Sequence, residues 1–308
     1  MTKQLVLMDH DGAVDDFLAL TLLLRMPSVE LLGVVVTPAD CYIGAALSVT
    51  RKLLDWLGRS DVPVAESTVR GINPFPPAYR RDSVVIDNLP VLNERDEIRT
   101  PLVPESGVDF MANALSAAPR PVTLMVTGPL STLAEVLERD PSLFAHIDRV
   151  VWMGGALNVP GNVERLYAPE HDGSAEWNAF WDPPSVARVW ATEIPIILCS
   201  LDLTNEVPLT AETIRQVAKQ RSYPLSDFVG TCYALALPQD YYCWDILATA
   251  YLDRPDLYET TTVTTEIVAT GSSQGRTRVT PSGGRPVQVM AKVNKPGFYQ
   301  YLLQQWAL

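Results

Sequence analysis

Short runs of apolar and β-branched residues recur along this chain, and stretches with apolar residues at helical spacing follow several of them. Leu5–Met8 reads as a buried strand, and Asp15–Arg25 follows with a stripe at Phe17, Leu20, Leu23 and Leu24. Glu30–Val36 and Val62–Ala65 read as further strands, with a helix over Tyr42–Leu57 that Gly58 ends. The pattern returns at Thr123–Val126, with a helix from Ser131, and again as strands at Val150–Met153 and Ile194–Cys199. Strands alternating with helices imply an α/β fold: an open, mostly parallel sheet with helices on both faces. In such sheets ligands sit beyond the carboxyl ends of the strands. A site is therefore expected in the loops after Met8, Val36, Val126, Met153 and Cys199.

Beyond Pro208 the character changes. Ala211–Gln220, Asp227–Ala236 and Cys243–Tyr251 read as helices. Thr261–Ala269, Arg276–Thr280 and Val287–Val293 read as antiparallel strands, before a final helix near Gly297–Trp306. No repeat or linker interrupts the 308 residues, so a single domain over 1–308 is expected. A chain of this length buries about three quarters of its unfolded surface and needs no disulfide or metal merely to fold.

Asp and Glu outnumber Lys and Arg by 36 to 24, a net charge of −12. That balance argues against a nucleic-acid partner, whose binding rests on a basic surface, and against an anionic membrane. It suits a neutral small molecule or a bound cation. The first apolar run stops at Asp9, unlike a signal peptide, and Phe17–Leu24 is far below the ~18 residues of a membrane span. Cys41, Cys199, Cys232 and Cys243 show no CxxC spacing and read as buried thiols in a reducing cytoplasm.

The densest chemistry lies just after the first strand. Asp9-His10-Asp11-Gly12-Ala13-Val14-Asp15-Asp16 holds four carboxylates and no Lys or Arg. Such crowding is costly unless a cation sits among them or some take up protons. Asp15 and Asp16 open a helix, whose free N–H groups favour anions, which accounts for one or two of the four. A divalent cation with oxygen ligands would neutralise the rest. The spacing is not that of an EF-hand, so a further carboxylate from far along the chain is expected. The pair Asp9 and Asp11 followed by Gly12 also fits a haloacid-dehalogenase-like phosphatase, with Asp9 as nucleophile and Asp11 as acid. That reading leaves Asp15-Asp16 unexplained and lacks its later motifs.

Eight segments, in order from residue 6 to residue 251, carry a more specific likeness: VLMDHDGAVDDFLAL, VVTPADCY, NPFPP, VTGPLS, MGGALNVPGNV, GSAEWNAFWDP, SLDLTNEVP and YYCWDILATAY. Together they resemble the inosine–uridine-preferring nucleoside hydrolase family, most of all its purine-specific inosine–adenosine–guanosine members. The resemblance implies Ca2+-dependent cleavage of the N-glycosidic bond of purine ribonucleosides. It implies calcium ligands at Asp11, Asp16, the Thr127 carbonyl and Asp245, with Asp9 in support. It also implies ribose contacts from Asp15, Met153, Asn162, Glu176 and Asn178, and a homo-oligomer, dimer or tetramer. Broad or pyrimidine specificity and a non-catalytic, metal-dependent sugar-binding protein stay open as alternatives.

N-glycosidic cleavage passes through an oxocarbenium-like state, with positive charge on the ribose and electrons flowing to the base. Asp11 is the expected general base for the attacking water. Some family members place a His immediately before the last calcium ligand, where this chain has Trp244. The chain has only His10, His146 and His171, so leaving-group activation falls to other means, and stacking on Trp244 is expected to help the base depart. The resemblance puts Asp40 at the purine imidazole edge and Tyr79 where the purine-specific relatives have a second Trp. Residues 163–172 form a loop longer than in those relatives, expected at the mouth of the site.

Overall fold

The computed structural model describes residues 2–236 and 240–307. Among them, nine strands form one sheet: β1 Gln4–His10, β2 Val29–Val36, β3 Val64–Glu66, β4 Val122–Val126, β5 Ile147–Met153, β6 Ile196–Cys199, β7 Tyr258–Ile267, β8 Thr277–Val279 and β9 Arg285–Val293. Their order is β3-β2-β1-β4-β5-β6-β9-β7-β8. The first six are parallel, as the alternation predicts. The last three are not a separate antiparallel unit. β9 joins β6 in parallel, and only β7 runs antiparallel, to both β9 and β8. Both sheet edges, β3 and β8, are three residues long.

Burial on both faces explains the near-continuous apolar strands. On β1, Val6 and Met8 pack into a layer with the helices Val14–Leu23, Ile43–Trp56 and Trp244–Ala250. Leu5 and Leu7 point the other way, into a layer with Gly107–Ala117, Ser131–Arg139 and Pro183–Trp190. β1 is the switch point: the chain leaves it toward β2 on one side and β4 on the other. Loops after β1 and β4 diverge there and open a crevice.

Several boundaries differ from the sequence pattern. β5 starts at Ile147 because Ile147 and Arg149 already pair with Val122 and Thr123 of β4, the register shifting past Asp148 between them. β6 starts at Ile196 because Pro195 has no N–H for the ladder, although its carbonyl accepts from Val150. Six α-helices of the described residues have no counterpart in the sequence pattern: Pro77–Arg80, Asp82–Asp87, Gly107–Ala117, Trp177–Trp181, Pro183–Trp190 and Leu201–Thr204. Gly107–Ala117 had a legible signal, Ser106, whose hydroxyl caps the Asp109 N–H at 3.1 Å. No helix of the described residues is long and apolar enough to cross a membrane.

Candidate active site

The loop after β1 turns sharply at Gly12, whose φ of +83° suits a residue without Cβ; a Cβ there would lie 2.6 Å from that of Ala46. The turn feeds the helix Val14–Leu23, one residue earlier than the sequence suggests. Its N-cap is Ala13, which offers no side-chain acceptor. Asp16 serves instead, accepting from the Ala13 N–H at 2.8 Å with one oxygen and from the Thr127 hydroxyl at 2.5 Å with the other. Asp9 accepts from Thr37 at 2.8 Å, and its other oxygen is buried with no partner among the described residues. Asp11 accepts from the Asp40 N–H at 3.2 Å. Gly128 lets Asp11 in: a Cβ there would stand 2.9 Å from the Asp11 Cβ.

Asp245 arrives from the far helix Trp244–Ala250, which packs beside Val14–Leu23. This is the distant carboxylate that the crowded loop calls for. Oxygens of Asp15, Asp16 and Asp245 lie within 4.8 Å of one another, and Asp11 adjoins Asp16. Asp15 thus sits inside the carboxylate group, beside Asp16 and Asp245. Burial, then the Asp16 and Asp40 charges, raise the Asp11 carboxyl well above the ordinary range. Burial and the Asp15, Asp16 and Asp11 charges do the same to Asp245. Burial pushes Asp9 and Asp15 up to about 7. Buried, mutually repelling carboxylates, with an orphaned Asp9 oxygen behind them, suit a hard divalent cation.

The opposite wall is built from the ends of β4 and β5. Asn178 donates to the carbonyls of Thr127 at 2.8 Å and Met153 at 3.1 Å. Glu176 caps the helix Trp177–Trp181 by accepting from the N–H groups of Asn178 and Ala179, and it also accepts from Gly155 at 2.9 Å. Burial still pushes its carboxyl up to about 6. Asn162 accepts from the Trp177 N–H at 3.1 Å. Each of these polar groups has a structural bond, yet Met153, Asn162, Glu176 and Asn178 all line the same cavity of about 570 Å³ as Asp11, Asp16 and Asp245.

At the mouth, Asp40, Tyr79 and Trp244 line that cavity too. Trp244 packs edge-on against Tyr241, and its indole N–H is buried with no partner among the described residues. The Tyr79 hydroxyl donates to Glu164 at 2.6 Å, and its ring meets Tyr167 and Trp177 edge-on. The 163–172 loop therefore borders the cavity, as expected. Among the described residues no His lines it: His10 pairs with Thr50 at 3.0 Å, and His171 with the Gln274 carbonyl at 2.9 Å. Sequence reasoning missed Tyr241, whose hydroxyl donates to Asp15 at 2.9 Å, and Asp82 on the lining, while Glu164 belongs to the 163–172 loop expected there. Tyr241 stood in plain view, four residues before Asp245 in the last matching segment.

Comparison with known proteins agrees with this geometry. The family model described as inosine-uridine preferring nucleoside hydrolase matches residues 6–300. The crystal structure of an inosine-uridine preferring nucleoside hydrolase from Bacillus anthracis superposes with a TM-score of 0.95 at 43% identity, covering 99% of both chains. A pyrimidine-specific ribonucleoside hydrolase, RihA, from Citrobacter koseri is 27% identical over 98% of this chain and 97% of its own. A purine-preferring ribonucleoside hydrolase from Gardnerella vaginalis shares the fold, with a TM-score of 0.78 at 22% identity over 99% of this chain and 98% of its own. Strand-end carboxylates, a polyol-sized polar wall and this likeness lead to one assignment: the chain is a nucleoside hydrolase and belongs to the inosine-uridine preferring nucleoside hydrolase family.

Proposed function

We propose that the protein, as a single domain over 1–308, is a calcium-dependent ribohydrolase that favours purine nucleosides and releases free base and ribose. The observation that carries the reading is one cavity joining buried carboxylates of Asp11, Asp15, Asp16 and Asp245 to the amide and carboxylate wall of Asn162, Glu176 and Asn178. Asp11, Asp16, Asp245 and the Thr127 carbonyl would hold the ion, with Asp9 in support behind them. Calcium supplies there a fixed positive charge that orients and acidifies water and grips sugar hydroxyls.

The chain's own residues do the remainder. Asp11 accepts the proton of the attacking water as the C1′–N bond opens. Asp15 accepts from a ribose hydroxyl, in exchange for the Tyr241 phenol it now binds. Glu176, Asn178 and Asn162 bind the other hydroxyls, which both donate and accept, and Met153 packs beneath the sugar. Binding these unreactive groups offsets distortion at the reacting carbon. At the other end, Trp244 and Tyr79 stack on the base, and Asp40 accepts from its protonated imidazole edge. With no imidazole on the cavity, stacking supports departure of the base, which favours the larger purine.

The test is ribose release across inosine, guanosine, adenosine, uridine and cytidine, with a phosphate ester as control. Purine kcat/KM above uridine by ~10²-fold, about 2.7 kcal/mol of transition-state free energy, is expected. The name of the pyrimidine-specific relative supports a second reading. Equal or better turnover of uridine selects it, while phosphate release alone removes both. The resemblance also supports a homo-oligomer, dimer or tetramer, to be checked by light scattering.

A further inference from the structure

The turn between β7 and β8, residues 268–276, reaches over from the edge of the sheet and touches segments that build the ribose side of the cavity. Its Ser272 carbonyl accepts from the Asp172 N–H at 2.8 Å, and Ser273 donates to the Asp172 carboxylate. Gln274 donates to Asn73 at 3.3 Å. Asn73 in turn donates to the carbonyls of Phe180 at 2.6 Å and Trp181 at 3.0 Å, on the helix that carries Asn178. His171 joins the same pieces from outside the cavity lining. It is 5% exposed, with its ring 4.8 Å from that of Phe180. Nε2 meets the Gln274 carbonyl at 2.9 Å, which can only accept, and Nδ1 accepts from the Gly173 N–H at 3.0 Å. The ring is therefore neutral, with its proton on Nε2.

Gly173 leads into Ala175 and Glu176. The Ala175 carbonyl accepts from the N–H groups of Asn162 at 3.0 Å and Val163 at 3.2 Å, and Glu176 caps the helix of Asn178. One imidazole thus ties a remote turn to the backbone that aims Asn162, Glu176 and Asn178. We infer that His171 is a positioning residue for the ribose wall, acting through Gly173 and the 268–276 turn and never on the substrate itself. The inference rests on the nucleoside hydrolase reading of that wall. A second proton would sit on Nδ1 and point at the Gly173 N–H, donor against donor, so acid undoes the tie. Asp172 is the charged group beside the ring. Against the cost of burial, bonds from Ser174 and Ser273 hold its carboxyl down to about 2, so it stays an anion where a histidine titrates. Glu170 on the same loop is exposed, Arg276 closes the turn, and Trp177–Trp181 has no charged residue.

The calcium-loaded enzyme is compared with two variants. H171Q offers a donor and an acceptor that acid does not change, and H171F keeps the bulk and the Phe180 contact but loses both bonds. At pH 7.5 H171Q should match the wild type, while H171F should raise KM for inosine ~10-fold, with kcat changed less. A nitrophenyl riboside should lose as much as inosine, because the wall holds the ribose and not the base. At pH 5.5 and saturating calcium, the wild-type KM should rise ~3-fold or more relative to that of H171Q. Carboxylates such as Asp9, Asp15 and Glu176 titrate in both proteins and cancel in that ratio. Hydrogen exchange should follow the same order, with the amides of 171–176 opening faster in the wild type than in H171Q at the acid pH and equally at the other. A flat KM ratio, flat exchange, an H171Q enzyme as damaged as H171F, wild-type KM in H171F, or a loss confined to inosine each overturns the inference while turnover stands. Should H171F not fold, the comparison of wild type with H171Q decides alone. If no nucleoside releases ribose, the nucleoside hydrolase reading has failed, and exchange still judges the tie.

Discussion

The floor and the mouth of the cavity are built in different ways. On the floor, Asp16 is clamped by the Ala13 N–H and the Thr127 hydroxyl, Glu176 by three backbone N–H groups, and Asn178 by the carbonyls ending β4 and β5. At the mouth, Tyr79 and Glu164 hold each other across two loops, and Glu164 is exposed. Backbone groups at strand ends and helix starts hold the floor side chains in place. The mouth depends on side chains that can change without touching the sheet. Under the proposed function, chemistry common to the substrates would belong to the first, and choice among bases to the second.

The sharpest way to break this contrast is to remove the ion. Protein purified without added metal should carry about one equivalent of calcium by elemental analysis, and thorough chelation should abolish ribose release. A metal-free preparation with full activity ends the calcium reading. Melting temperature should fall as well, since a ligand of the folded state stabilises it by mass action. The fall should be larger at pH 8 than at pH 5.5. Asp9 and Asp15 have carboxyls raised to about 7 from an ordinary 3.8. A raised carboxyl stabilises the fold while protonated, and that stability is lost as pH rises through about 7.

Next in size is D11N, which keeps the shape and removes the base. A drop in kcat of ~10²-fold or more is expected even with an activated nitrophenyl riboside, with KM changed less. Near-normal turnover would show the base to be another residue. Third is W244A, where a fall of ~10-fold or more in purine kcat/KM is expected, with much less effect on the nitrophenyl substrate, whose leaving group needs no proton. Equal losses on both would make Trp244 a packing residue. The smallest effect belongs to the mouth. Y79F cuts the bond to Glu164 and should raise purine KM no more than ~3-fold, while Y79W should match or improve purine turnover. A Y79F effect as large as that of D11N erases the division between floor and mouth.

The same division decides what the sequence could reveal. The strand–helix alternation gave the parallel six-strand half, and four carboxylates in eight residues pointed to a missing distant partner, found at Asp245. Floor residues are contiguous in sequence with strand ends and helix starts, so their surroundings follow from local pattern. β9 joining β6 in parallel was not legible, because its apolar run Val287–Val293 suits either direction of pairing. Nor was the Tyr79–Glu164 bond, which joins residues 85 apart through two loops without periodicity. The Tyr241 phenol on Asp15 spans 226 residues and depends on helices packing first.

The two ends of the sheet also limit how the molecule can meet another copy. β3 and β8, the outer strands, offer three residues each. So short a ladder gives few free N–H and C=O groups to a strand from outside, which is how proteins protect sheet edges from adding further chains. A dimer or tetramer would therefore be assembled through helices and loops rather than by extending the sheet. Its interface can then vary in position while the nine-stranded frame, and the ion-binding floor at its centre, stay the same.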